Sequence, residues 1–260
     1  MNTNEIKSLR KDIIDMSYEA KEGHIPSALC IIDIIYVLYK KILKFDPENP
    51  EWDGRDYFIL SKGHGGAALY SVLANVGFFS KDELKSYCKL NSIFGGHPDR
   101  NKVPGVEATT GSLGHGLPIG LGIAIAMKIL NKPNKVFVLI GDGESNEGTI
   151  WESAQIAKNL SLDNLIVIVD KNKSQSYSSD YDYKKIWVGF GWEAEEMDGH
   201  NYKEIEEKLK MFLDSSSHKP KVIVANTIKG KGISFMENNP EWHHKSPDLE
   251  TYKKIIGELE

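Results

Sequence analysis

Residues 136–152 read VFVLIGDGESNEGTIWE, and residues 165–172 read LIVIVDKN. Each stretch opens on five apolar residues in a row, and each run is ended by a glycine or an acid. A short, uninterrupted apolar run bounded by turn residues reads as a strand buried on both faces, the kind that parallel sheets contain. Val136–Ile140 is therefore one strand, ending in Gly141-Asp142-Gly143, and Leu165–Val169 is a second, ending at Asp170. Asn146–Leu160 between them reads as a helix, which makes a βαβ unit. Ligands of open parallel sheets bind just beyond the C-terminal ends of the strands. Asp142 and Asn172 occupy two such ends, 30 positions apart, which leaves room for one crossover helix and a return strand. Neighbouring strands would set both side chains on one rim. An Asp carboxylate with an Asn carbonyl suits Mg²⁺ or Ca²⁺ and leaves places for phosphate oxygens. Gly141 and Gly143 let backbone amides approach a diphosphate, and the helix start that follows favours an anion. The plainer alternative is a tight turn in which Asp142 caps the helix.

The same alternation continues outward. On the N-terminal side, Ile6–Lys21 has a helical apolar period, and Ala28–Leu43 is apolar nearly all round, as a buried helix would be. Tyr57–Leu60 reads as a strand, Gly65–Val76 and Lys81–Cys88 as helices, Val103–Gly116 as a loop, and Leu117–Leu130 as a small-residue helix able to pack closely. On the C-terminal side, Lys173–Asp182 reads as a loop, Trp192–Met197 as a strand, Tyr202–Leu213 as an amphipathic helix and Val222–Thr227 as a buried strand. Gly230–Pro247 is irregular, and Leu249–Leu259 closes as a helix. No repeat, low-complexity tract or linker interrupts this order. It predicts an α/β fold: a parallel sheet with helices on both faces, in one domain over residues 1–260.

Composition agrees. The 260 residues carry 32 Lys+Arg against 37 Asp+Glu, a net charge of −5, with mean hydropathy −0.36. This is a globular balance without the cation excess of a dedicated nucleic-acid binder. Two cysteines, Cys30 and Cys88, are too few for a disulfide scaffold or a four-thiolate zinc site and fit a reducing, cytoplasmic setting. The start, MNTNEIKSLRKDI, has no apolar secretion segment, and no apolar run reaches the roughly 20 residues that span a bilayer.

Four of the eight histidines stand in glycine-rich or loop contexts: Gly23-His24, Ser61-Lys62-Gly63-His64, Gly96-His97-Pro98-Asp99 and Trp242-His243. Imidazoles so placed can bind and move protons. With these segments the chain resembles the N-terminal, diphosphate-binding region of transketolase. SKGH (61–64), GHPD (96–99), TTGSLGHG (109–116), GDGESNEG (141–148), DKN (170–172) and TIKGKG…WHHKSP (227–247) follow that family's order and span Ile6 to Ile256. The match is nearest to transketolases encoded as two subunits.

The resemblance implies thiamine diphosphate as cofactor, held through Mg²⁺, with Ca²⁺ or Mn²⁺ as substitutes. Asp142, the Asn172 side chain and the Ser174 carbonyl would be the metal ligands. Gly111, Ser112, Leu113, Gly114, Gly141, Gly143 and Glu144 would line the cofactor, joined by His64 and His243. His24 and His97 would hold a sugar's hydroxyls and carbonyl. Glu147 and Glu152 would share protons across a subunit interface, although as residues alone they read as ordinary helix-surface carboxylates. Further implications are two-carbon ketol transfer between small sugars and a separate C-terminal subunit, two copies of each. That partner would bring the glutamate acting on the aminopyrimidine.

Three positions depart from the family pattern. Pro26 stands where a glycine is common, His115 where a glutamine is common, and His244 replaces the glycine of a common His-Gly pair. Proline fixes φ and removes a donor, so the loop beside His24 is expected to be reshaped. Lys62, Lys229 and Lys231 could steer an anion, but loop lysines usually stay in solvent. Rival readings are one chain of a 2-oxo acid dehydrogenase, a deoxyxylulose-phosphate-synthase-like enzyme and a non-catalytic scaffold. A nicotinamide site is disfavoured, since no G-x-G-x-x-G follows an early strand.

Overall fold

A computed structural model describes residues 3–173 and 181–259. The chain opens with helices α1 (Thr3–Ala20), α2 (Ile25–Leu29) and α3 (Ile32–Val37), the last continuing into one π turn at Leu38–Ile42. Strand β1 (Tyr57–Leu60) and helix α4 (Gly66–Asn75) come next, then α5 (Gly116–Ile129), β2 (Val136–Gly141), α6 (Gly148–Asn159) and β3 (Leu165–Lys171). The C-terminal part is α7 (Tyr183–Gly189), β4 (Glu193–Asp198), α8 (Tyr202–Asp214), β5 (Lys221–Asn226) and α9 (Leu249–Leu259). The five strands form one sheet in the order β1-β2-β3-β5-β4, every pairing parallel.

The apolar runs explain the layering. Successive strand residues point to opposite faces, so a run without polar alternation serves two cores. Phe137, Leu139, Ile166, Ile168 and Ile223 pack with α1 to α4, α8 and α9 on one face. Val136, Val138, Ile140, Leu165, Val167, Val169, Val222 and Val224 pack with α5, α6 and α7 on the other. Each fully buried aliphatic or aromatic side chain of this kind contributes about 1.5–3 kcal/mol. Helix α5 sits against the sheet through its small residues: a Cβ at Gly120 would lie 2.5 Å from Val138 Cγ2.

Three elements differ from expectation. Ala28–Leu43 is not one helix. Pro26 occupies the first turn of α2, where a missing N–H is harmless, and the helical run breaks at Cys30–Ile31. There Cys30 Sγ turns onto Ser27 O at 3.2 Å and Asp170 Oδ2 at 3.1 Å, so a tertiary contact overrides local propensity. Lys81–Cys88 forms only a 3₁₀ turn at Lys81–Ser86, opened by a Ser80–Glu83 capping box; its one buried residue, Leu84, offers no apolar stripe. Helix α7 has no counterpart in the sequence pattern, since seven residues are too few to show a period; Asp182 caps it through the Lys185 amide at 3.0 Å. Gly230–Pro247 is irregular as expected, apart from a 3₁₀ turn at Pro240–Trp242. Among the described residues, no helix is long and apolar enough to cross a membrane.

Candidate active site

The register of the two central strands decides the geometry. Gly141 of β2 pairs with Asp170 of β3, so the residues just beyond them, Asp142 and Asn172, share the C-terminal rim. Both are buried. Asp142 Oδ1 accepts the Gly143 amide at 2.7 Å. Burial, then the nearby Asp170, raise the Asp142 carboxyl above its usual value; the Gly143 and Lys173 amides and the Lys62 ammonium pull the other way. A buried carboxylate in that condition is stabilised by a cation. Asn172 Nδ2 is held 2.6 Å from Asp170 Oδ2, which turns its carbonyl oxygen away from that carboxylate. Among the described residues, no group of three or more His, Cys, Asp or Glu could hold a metal. One carboxylate and one amide oxygen on the rim are a pair that Mg²⁺ completed by phosphate oxygens would fit. Ser174, expected as the third ligand, lies outside the described residues.

Beneath this rim is a buried polar floor. Asp170 is fully buried, and its carboxylate meets Lys62 Nζ at 2.6 Å, Cys30 Sγ at 3.1 Å, Asn172 Nδ2 at 2.6 Å and the Thr227 hydroxyl. Burial alone would raise its pKa, but Lys62 and the hydrogen bonds outweigh burial and hold it low. Burial opposes the charge on Lys62, but Asp170, ahead of the other nearby groups, outweighs it and raises the ammonium pKa. Lys62 and Lys229 are thus not solvated loop lysines; they are 1% and 7% exposed. Lys231 is more open and pairs with Glu237 at 3.4 Å.

Glu144 has a different place from the one expected. It is buried, and it accepts the Ser61 hydroxyl, the Gly114 amide at 2.8 Å and the Gly141 amide at 3.0 Å. It knits three rim segments together, its carboxylate taken up by donors of this chain. Gly63, in the turn that carries Lys62 and His64, packs directly on the next segment: a Cβ there would lie 2.9 Å from the Gly111 amide nitrogen and Thr110 C. Gly111 in turn lies against His97, whose Cδ2 would be 3.2 Å from a Gly111 Cβ. Gly111, Ser112, Leu113 and Gly114 thus line the rim between His97 and Glu144.

The four histidine segments converge. The His24 ring lies 5.3 Å from His64, 5.7 Å from His243 and 4.5 Å from His244, between centroids, and His97 is close enough to act on it electrostatically. Burial first, then the neighbouring rings, lower His24 to about 4. Burial, then the Lys62 charge, lower His64 to about 2. Burial and Lys229 lower His243 as well. His243 Nδ1 is 2.8 Å from Lys229 Nζ, whereas His244 Nε2 is 2.7 Å from Glu22 Oε1, so the doublet splits between two partners. Pro26 leaves His24 in the cluster; its carbonyl receives the Cys30 amide at 3.2 Å and the Gly230 amide at 3.1 Å. His115 stays exposed at the start of α5, its Nδ1 3.0 Å from Leu113 O. Glu147 and Glu152 are exposed at the start and on the outer face of α6.

Sequence reasoning missed the parts Cys30, Ser61, Thr227 and Tyr183 play; the Tyr183 hydroxyl donates to Asp142 O at 3.0 Å. For Ser61 and Thr227 a signal existed, because each follows a strand and faces the same rim. For Cys30 and Tyr183 none did.

Comparison with known proteins completes the picture. The family model described as "Transketolase, thiamine diphosphate binding domain" matches residues 1–257. An apulose-4-phosphate transketolase subunit of Actinobacillus succinogenes is 41% identical over 263 residues, covering 97% of this chain and 94% of that protein. The 6-deoxy-6-sulfo-D-fructose transketolase subunit SqwG of Clostridium sp. (strain MSTE9) is 39% identical, covering 92% and 88%. Among solved structures, transketolase from Leishmania mexicana superposes with a TM-score of 0.93 at 30% identity, covering 100% of this chain and 41% of that one. The chain thus spans about two fifths of that transketolase and nearly all of the named subunits.

Proposed function

The chain belongs to the transketolase family, as a carrier of its thiamine diphosphate binding domain, and on that premise we propose its full role. It is the N-terminal subunit of a split enzyme that moves a two-carbon ketol unit from a ketose, phosphorylated or not, to an aldose. The observation that carries this reading is the convergence of four histidine segments, Asp142 and Asn172 on one rim of the sheet. The relatives of matching length are named as subunits, which supports a separate C-terminal partner; two copies of each, assembled in the cytoplasm, complete the proposal. Their names point to two unlike specialised sugars, and we favour a donor of that specialised kind. Residues 1–260 would act as one cofactor-binding domain.

Asp142, the Asn172 side chain and the Ser174 carbonyl would hold Mg²⁺ against the diphosphate. Gly143 and the 111–114 segment would face the cofactor with their backbone amides, with Glu144 bracing them. When bound, thiamine diphosphate supplies the carbon nucleophile that a sugar carbonyl needs. This chain's residues orient and move protons around it. His64 and His24, with lowered pKa, stay neutral at pH 7, so each ring both accepts and donates a hydrogen bond. His97 and His243 stand more open, suited to a sugar's hydroxyls and carbonyl. Glu147 and Glu152 would meet the partner, which would add the carboxylate for the aminopyrimidine.

The test is native mass spectrometry of the assembly captured with this chain, followed by turnover of ketose phosphates against pyruvate. A second chain, bound thiamine diphosphate and ketose turnover are expected. Pyruvate turnover alone would favour a 2-oxo acid enzyme, and an assembly without cofactor would favour a scaffold. In the active assembly, His97→Asn should lower donor turnover by about 100-fold or more with little change in cofactor affinity. The reverse pattern would remove His97 from the sugar site.

A further inference from the structure

One buried polar cluster takes no part in the site as described. Asp33 of α3 is 1% exposed. Its carboxylate meets groups from three elements: Arg10 Nη2 of α1 at 2.7 Å, the Tyr202 hydroxyl of α8 at 2.9 Å, and His200 Nδ1 at 2.7 Å. Burial would raise the Asp33 carboxyl, but His200 and Arg10 outweigh burial and hold it low. Asp33 is therefore an acceptor towards all three.

His200 closes the turn Asp198-Gly199-His200 after β4, and its own amide donates to Asp198 Oδ1 at 2.8 Å. The other ring nitrogen, Nε2, lies 2.9 Å from the Ile228 amide nitrogen, which donates to it. A nitrogen that accepts a hydrogen bond carries no proton, so the ring proton must sit on Nδ1 and point at Asp33. One neutral tautomer satisfies both ends.

Ile228 belongs to the segment after β5 that leads back to the rim. That segment is pinned at several points. The Thr227 amide donates to Lys171 O at 3.2 Å, the Gly230 amide donates to Pro26 O at 3.1 Å, and Arg10 Nε donates to Lys231 O at 3.4 Å. Between these pins stands Lys229, 2.8 Å from His243 Nδ1. Arg10 thus serves both ends of the cluster, gripping Asp33 and the same segment that His200 holds.

We propose that His200 is a positioning residue. As its Nδ1–H tautomer it links Asp33 to the Ile228 amide and so sets where Lys229 meets His243. The consequence for the cofactor rests on the transketolase reading; the tautomer does not.

Two measurements test this. The first is two-bond ¹H–¹⁵N spectroscopy of the full chain labelled with ¹⁵N-histidine, with His200 assigned through its loss in His200→Gln. A ring protonated at Nδ1 and bare at Nε2 is expected, and one protonated at Nε2 overturns the proposal. The second is thiamine diphosphate affinity of the chain with its partner, read by tryptophan quenching. The His200→Gln amide oxygen reaches about as far as Nε2 and should keep affinity within about threefold. His200→Asn reaches Asp33 but falls short of Ile228, and affinity should drop about tenfold. Equal affinity of the two variants overturns the proposal. Absence of binding by the unsubstituted assembly would instead overturn the transketolase reading, with the tautomer still decided by the spectrum.

Discussion

Lys62 and His97 stand on adjoining rim segments, and the fold treats them in opposite ways. Lys62 is buried, and its ammonium meets Asp170 at 2.6 Å, Ser27 O at 3.2 Å and Cys30 Sγ at 3.5 Å. His97 is exposed, with its ring laid against Gly111. The same contrast separates the whole floor of the site from its mouth. In the floor, Asp170 and Glu144 find their donors within the chain. At the mouth, His24, His64, His243 and His244 lie mainly against one another, against Lys229 and against Glu22. Satisfied buried polar groups fix a unique arrangement. Crowded, partly solvated imidazoles do not, and they leave hydrogen-bonding capacity for a ligand. Folding completes the floor; binding is left to complete the mouth.

The sharpest way to break this division lies at its boundary. Asp142 has floor burial but faces the rim, and burial, then the nearby Asp170, raise its carboxyl. Asp142→Ala should abolish Mg²⁺-dependent thiamine diphosphate binding, lowering affinity by at least about 100-fold, roughly the upper range seen for loss of a group that supports a metal site. Titration calorimetry of the reconstituted assembly would show it. Unchanged affinity would mean that Asp142 is only a turn residue. The next effect is on stability. Lys62→Ala leaves Asp170 buried with no cation, and breaking a buried pair in this way costs about 3–5 kcal/mol. Urea unfolding of the chain measures it, and a loss below about 1 kcal/mol would show that the floor does not rest on this pair.

The contrast also explains what could be read in advance. The sheet was legible because VFVLI and LIVIV have no polar alternation, and only a two-faced core accommodates that pattern. The rim positions of Asp142 and Asn172 followed from strand ends. The histidine segments were legible through motif resemblance, and the structure brings them together. Burial of Lys62 and Lys229 was not legible, because a lysine in a loop is expected in water until a partner such as Asp170 is known to lie opposite. The inward turn of Glu144 was hidden for the same reason: its three donors come from residues 61, 114 and 141, and no local pattern links them. The break at Cys30 likewise depends on a contact 140 positions away.

Acid should tell floor from mouth by the pH at which each gives way. His24 and His64 are lowered to about 4 and about 2, mainly by burial. The native state therefore resists protons that the unfolded chain takes up below about pH 6.5, so stability falls as pH drops below that point. For Asp170 the carboxyl is held low. Its contribution is present above the unfolded value of 3.8 and is lost only as pH falls further, through the folded value. Urea midpoints followed from pH 7 to 4.5 should thus decline through the mouth histidines, partly offset by Asp142 and Glu144, whose raised carboxyls take up protons in the native chain before the unfolded one. His24→Asn and His64→Asn should each flatten that decline, because a neutral amide has no proton to gain, while leaving the steeper loss below pH 4 in place. A decline unchanged in both variants would mean that water reaches these rings freely in the native chain. The mouth would then be open before any ligand arrives, rather than a crowded, partly dry set of imidazoles awaiting one.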